Sequence, residues 1–193
     1  MVSLTLNKSI YIHPNAIVES EDIGDHTRIW AFVHILKGAS IGSSCNICDH
    51  GFIENDVVIG NNVTIKSGIY IWDGARVEDN VFLGPNVTFT NDVYPRSKVY
   101  QKKPPCILIK EGASIGANSV LVAGIVVGRY AMVGAGSVVT KDVKDFELVY
   151  GNPARHRAYL CRCTEKLDFK NNGKLTCTCG LTYILEKGTV SQI

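Results

Sequence analysis

Residues 54–90 read ENDVVIGNNVTIKSGIYIWDGARVEDNVFLGPNVTFT, and within them an apolar residue returns at every sixth position: Ile59, Ile65, Ile71, Val77, Leu83 and Phe89. Stepping toward the N-terminus adds Ile53, Ile47, Ile41, Ile35, Ile29, Ile23, Ile17 and Tyr11. After a break the step resumes at Ile109, Ile115, Leu121, Val127, Val133 and Val139. All 20 positions are apolar in a chain that is 46% apolar overall, which excludes coincidence. The next residue is Gly at seven steps, among them Gly42, Gly60, Gly84 and Gly116, and from Thr27 onward the fourth residue after the apolar one is small or β-branched. A period of six suits neither a helix of period 3.6 nor a meander of hairpins. It suits a short strand followed by a tight corner. Three such units close a triangular turn of 18 residues with the aliphatic side chain pointing inward. The expected fold is all-β, a parallel β-helix of about seven turns, roughly 30 Å tall at a strand spacing of about 4.8 Å.

From Phe89 to Ile109 is 20 residues, two more than a full turn, and the segment Asn91–Pro105 (NDVYPRSKVYQKKPP) holds three prolines. Proline has no N–H for a ladder, so a loop over 91–108 is expected to leave the prism. The repeat fades after Val139, and Gly151-Asn152-Pro153-Ala154-Arg155 closes it. This divides the chain into a β-helical unit, 1–157, and a cysteine-containing tail, 158–193. In the tail a hairpin is expected between Leu167–Phe169 and Lys174–Cys177, joined at Asn171-Asn172-Gly173.

Twenty basic against 18 acidic residues leave a net charge of +2, which gives no case for nucleic acid or an acidic membrane surface as partner. No apolar stretch approaches the roughly 20 residues of a spanning helix. The segment Met1–Lys8 lacks a basic region followed by an apolar one, so a cytoplasmic location is expected, where seven cysteines read as free thiols or metal ligands.

The repeats, the single interrupting loop and the closing Gly-Asn-Pro-Ala-Arg resemble the left-handed β-helical acyltransferases that use acyl-CoA. Residues 50–97, above all Phe89-Thr-Asn-Asp-Val-Tyr-Pro-Arg-Ser97, resemble bacterial N-acetyltransferases acting on the 3-amino group of a nucleotide-linked 3-amino-3,6-dideoxyhexose. A sister group acts on a UDP-linked 3-amino uronic acid, and Arg28–His34 (RIWAFVH) suits either. The resemblance implies a left-handed coil, acetyl-CoA as co-substrate, a nucleotide sugar as acceptor, a homotrimer with sites between neighbouring prisms, and a product for a surface glycan such as O-antigen. It places CoA-binding residues toward the C-terminal end, where Lys141, Arg155 and Arg157 would meet phosphates. There the small residues Ala113, Ala131, Gly136 and Ser137 would let the pantetheine arm approach the backbone.

Amide formation from a thioester needs a positioned neutral amine, donors for the developing oxyanion and an acceptor for the amine proton. Residues 18 apart stack on adjacent turns, so Asn55, Asp73 and Asn91 form one column and Glu54, Trp72 and Thr90 the next. Asp73 can hold the sugar ammonium or a hydroxyl, and Asn91 a hydroxyl or the acyl oxygen. His50 is the candidate base, although the departing CoA thiolate could accept the proton unaided. His34, Glu54, Trp72, Asp92, Tyr94 and Arg96 complete the expected sugar-nucleotide contacts. The alternative readings are bland: corner Asn and Asp cap turn backbone, His50 is a solvated corner, His34 packs under Trp30, and Arg96 pairs with an acid.

The resemblance at Asn91–Ser97 implies a dTDP-linked 3-amino-3,6-dideoxyhexose as acceptor, and a charge argument agrees, because a uronate would call for a cation where the column supplies acids and amides. Lys66 and Arg76 fall outside it, and Arg96, Lys98, Lys102 or Lys103 of a neighbouring subunit could supply one. Two other classes are a zinc carbonic anhydrase, which needs three converging histidines, and a non-catalytic scaffold, which needs no Pro-rich loop. In the tail, Cys161-x-Cys163 and Cys177-x-Cys179-Gly180 look like a shortened zinc ribbon, tighter than the usual C-x₂₋₄-C, and read as zinc ligands or free thiols. Cys45-x-x-Cys48 has metal-like spacing, but the repeat already accounts for Cys45 at an inward small-residue position.

Overall fold

The computed structural model describes residues 9–99, 105–171 and 173–193. The expectations for Met1–Lys8, Lys102, Lys103 and Asn172 lie outside the described residues. From Tyr11 to Val139 every strand is two residues long, because a repeat of six leaves room for one outward and one inward side chain before the next corner. The inward residues Ile29, Ile35, Ile47, Ile65, Ile71, Leu83, Ile109 and Ile115 are fully buried in one continuous core.

The strands stack into three parallel sheets, the faces of a prism. The first face carries Arg28–Ile29, Asn46–Ile47, Thr64–Ile65, Phe82–Leu83, Ser114–Ile115 and Met132–Val133. The second carries His34–Ile35, Phe52–Ile53, Tyr70–Ile71, Thr88–Phe89, Val120–Leu121 and Val138–Val139. The third carries Ser40–Ile41, Val58–Ile59, Arg76–Val77, Leu108–Ile109 and Val126–Val127. Corners take left-handed backbone values at Asn62, Asn80, Asn86 and Asn118, but also at Phe32 and His50. Elsewhere glycine stacks on glycine: a Cβ on Gly42 would lie 2.4 Å from the carbonyl oxygen of Gly60.

Two details of register differ from the six-residue count. Tyr11 pairs with Arg28 and Ile17 with His34, a separation of 17, so Ile12 and Val18 share the inward register and Tyr11 and Ile17 do not. Ile17 is 58% exposed. A one-residue slip turns each side chain to the opposite face, and the coil absorbs it between Val18 and Ile23. The loop is also placed differently from a turn plus two residues. Arg76 pairs with Val58 below it at a separation of 18 and with Leu108 above it at 32, so the excursion adds 14 residues within a single step. Thr88 likewise pairs with Val120, and the ladder continues unbroken on both sides of the exit.

At the C-terminal end Glu147–Tyr150 lies parallel on Met132–Val133. The chain then turns through a cis Asn152–Pro153 bond, and Arg155–Tyr159 returns antiparallel, crossing the expected division at 157/158. The tail's sheet is three-stranded and antiparallel: Gly173–Thr176, Thr182–Glu186 and Thr189–Gln192. The expected hairpin is therefore corrected. Leu167–Phe169 forms no strand, since Leu167 is used for packing and its N–H goes to Tyr159; the partner of Gly173–Thr176 is Thr182–Glu186, around a turn at Cys177–Leu181.

Candidate active site and a thiol cluster

The column at the corner between the second and third faces forms as the 18-residue spacing requires. Trp72, Asp73, Thr90, Asn91, Pro105 and Ile107 line one crevice at the root of the loop. Its polar groups are tied to the coil. Asp73 Oδ1 accepts the Asp56 N–H at 2.7 Å, Glu54 Oε2 accepts the Asp73 N–H at 2.7 Å, and Thr90 Oγ1 accepts the Ala123 N–H at 2.9 Å. Trp72 Nε1 donates to the Phe89 carbonyl at 2.9 Å. The capping reading is thus realised at Asp73 and Glu54, and it holds those carboxylates rigidly beside the loop. Asn55 caps in the same way, accepting the Gly38 N–H at 3.2 Å.

His50 does not join this column within one chain. It sits at the opposite edge of the second face, with Phe52–Ile53 between it and the corner that begins at Asn55. Its backbone is left-handed (φ 61°) and its ring stacks on Phe32 at 5.1 Å. Along that face an aromatic strip runs from His34 to Phe52, Tyr70 and Trp72 at ring separations of 5.6–6.3 Å. His34 Nε2 meets Glu19 Oε1 at 3.1 Å. In the loop, Asp92 Oδ1 accepts the Tyr94 N–H at 2.9 Å, Tyr94 is 84% exposed, and Arg96 Nη1 donates to the Pro95 carbonyl. Arg76, three residues after Asp73 in the chain, is engaged by Asp56.

The proposed pantetheine contacts need correction. Ala113, Ala131 and Ser137 have 0–1% of their surface exposed, so they touch nothing outside the prism. Their small size serves the interior of the corner, and Ser137 Oγ accepts the Gly151 N–H. Gly136 has open space beside it. Lys141 and Arg155 do come together, in a crevice with His156 at the end of the prism, whereas Arg157 lies over the Tyr150 ring, 4.6 Å from its centroid.

The bacterial transferase hexapeptide model (six repeats) matches residues 56–91 and 107–141, leaving out the loop. A dTDP-3-amino-3,6-dideoxy-alpha-D-galactopyranose 3-N-acetyltransferase of Aneurinibacillus thermoaerophilus is 64% identical over 187 residues, 97% of each chain. The chain belongs to the hexapeptide transferases. A hexapeptide-repeat acetyltransferase of Vibrio cholerae, solved with acetyl coenzyme A, matches this hexapeptide transferase with TM-score 0.53 at 25% identity, over 71% of this chain and 69% of its own. A UDP-N-acetylglucosamine acyltransferase of Campylobacter jejuni shares the fold at TM-score 0.56 and 19% identity, over 79% and 71%. The coil is accordingly a left-handed β-helix and the chain an acyltransferase, which sets aside the scaffold and carbonic anhydrase readings. Among the described residues no histidine joins a group of three potential metal ligands within the chain.

One such group does occur, and it consists of thiols. The sulfurs of Cys161, Cys163, Cys177 and Cys179 all lie within 4.8 Å of one another. Burial pushes the Cys161 thiol up, but the Tyr183 hydroxyl and the Cys163 N–H outweigh it and bring it down to about 6. Cys45, by contrast, is buried inside the coil with its thiol on the Gly60 carbonyl, and burial raises it.

Proposed function

We propose that this transferase moves the acetyl group of acetyl-CoA to the 3-amino nitrogen of a dTDP-linked 3-amino-3,6-dideoxyhexose of galacto configuration. The observation that carries the reading is the identity of 64%, over 97% of both chains, with an enzyme of that name. The column supports it chemically. Asp73 and Asn91 offer an acceptor for the sugar ammonium or a hydroxyl and a donor for the acyl oxygen, held at a rigid corner of the coil. Arg76 is occupied by Asp56, and among the described residues lining the crevice there is no cation for a uronate.

In the reaction the amine nitrogen bonds to the thioester carbonyl carbon, the C–S bond breaks, and the amine proton leaves for His50 or for the CoA thiolate. A homotrimer would supply the missing geometry. Tyr11, Ile12, Ile17, Trp30, Phe32 and Tyr70 are large apolar side chains left exposed on one chain, available to such a contact. A closed three-fold contact joins two different surfaces of the prism, the arrangement needed to bring His50 of one chain to the Asp73 corner of the next. Lys141 and Arg155 are read as contacts for CoA phosphates. Acetyl-CoA as donor fits a cytoplasmic reaction, with the product passing to a surface glycan.

A thiol-release assay with acetyl-CoA tests the reading. Turnover is expected with the dTDP-linked 3-amino-3,6-dideoxygalactose, and a higher kcat/KM for the UDP-linked 3-amino uronate would overturn the acceptor. Light scattering is expected to give about three times the 21.1 kDa of one chain.

A further inference from the structure

We propose that Cys161, Cys163, Cys177 and Cys179 bind one zinc ion, which fastens the C-terminal unit to the last coil of the β-helix. The two Cys-x-Cys segments are far apart in sequence but are built alike. In the first, the Cys161 N–H donates to the Glu165 carbonyl, the Thr164 N–H donates back to the Cys161 carbonyl, and Thr164 has φ 75°. In the second, the Cys177 N–H donates to the Leu181 carbonyl, the Gly180 N–H donates back to the Cys177 carbonyl, and Gly180 has φ 90°. Each turn therefore delivers two sulfurs to one side, and the two turns face each other. The close spacing that argued against zinc in the sequence is met by this paired geometry.

Across the pair, Cys161 Sγ lies 3.4 Å from Cys179 Sγ and Cys163 Sγ lies 3.6 Å from Cys177 Sγ. A tetrahedral thiolate site with Zn–S of about 2.3 Å holds its sulfurs about 3.8 Å apart. Tyr183 is fully buried, and its hydroxyl oxygen accepts the Arg162 N–H at 3.1 Å, which leaves its own proton for Cys161 Sγ at 3.1 Å. A buried donor held on sulfur is what a metal-bound thiolate requires of its surroundings. A four-thiolate tetrahedral set selects zinc or iron among common metals, and zinc is the choice for a site with no redox task.

The unit also needs a fastening. Among the described residues six buried side chains form its core, with partly buried apolar residues packed around them, and one of the six, Phe146, comes from the last corner of the coil. Units below about 40 residues usually require a metal or disulfides in place of a larger core. Phe146 stacks on Tyr130 and meets Tyr183 edge-on at 5.2 Å, and Lys144 Nζ donates to the Gly188 carbonyl at 2.7 Å. A metal holding Cys161 beside Tyr183 would keep this surface in place.

The full chain, purified without chelator or added metal, is expected to carry one zinc per chain by elemental analysis, released as a mercurial titrates the thiols. The double variant C177S/C179S should lose the zinc and melt at a lower temperature, while C106S, at an exposed cysteine outside the cluster, should retain it. Cobalt in place of zinc should show thiolate-to-metal charge transfer and the visible bands of a tetrahedral site. Iron in the site, two disulfides by mass spectrometry, or four freely titrating thiols with no metal would each overturn the proposal. Should the double variant prove insoluble, stoichiometry and mercurial release on the unaltered protein decide the matter.

Discussion

The prism and the tail are both made only of strands and turns, yet they are stabilised by opposite means. In the prism each inward side chain packs on its counterpart one turn away, so stability is a sum over equivalent rungs sharing one core. In the tail a handful of buried groups meet once, around four sulfurs, and no rung repeats another. A repeating structure tolerates no misfit at its shared positions, whereas a singular one depends on a few contacts and forgives the rest.

Glycine substitutions give the sharpest contrast. Gly42→Ala sets a Cβ against the Gly60 backbone and is expected to cost more than about 4 kcal/mol, among the largest single-residue effects, seen as loss of soluble folded protein or a collapse of the denaturation midpoint. Ile71→Ala, in the fully buried inward file, should cost about 2–5 kcal/mol by chemical denaturation. For activity, His50→Ala should lower kcat/KM more than about 10²-fold if His50 takes the amine proton; a small change would return it to the role of a corner residue. Asp73→Ala should lower kcat/KM for the amino sugar with only the modest stability loss of one cap, about 0.5–2 kcal/mol by analogy with helix caps. Far below Gly42→Ala in stability, Gly180→Ala in the tail meets no neighbour and carries only the penalty of its φ, about 1–2 kcal/mol. If Gly180→Ala proved as damaging as Gly42→Ala, the contrast between the two regions would fail.

The coil was legible because one physical requirement, an aliphatic residue facing inward, is written again at every step. Its first turn was misread for a specific reason. Tyr11-Ile12 and Ile17-Val18 are apolar at both positions, so a slip of one residue leaves the count looking intact. The 20-residue gap was ambiguous too, since a turn plus two and a step plus 14 both return an apolar residue to the interior; only the pairing of Arg76 with Leu108 distinguishes them. Ala113, Ala131 and Ser137 were misassigned because smallness serves a crowded corner and a bound ligand equally well. The column of Asn55, Asp73 and Asn91 followed directly from the 18-residue spacing. The likeness of the two Cys-x-Cys turns did not, because it lies in backbone hydrogen bonds and two left-handed residues, Thr164 and Gly180, that share no side chain.

Because the excursion after Asn91 departs and returns within one step, the strands below and above it pair as though it were absent. The coil is therefore indifferent to what the segment contains. Its length and composition can be exchanged, by evolution or by grafting, without renegotiating a single rung.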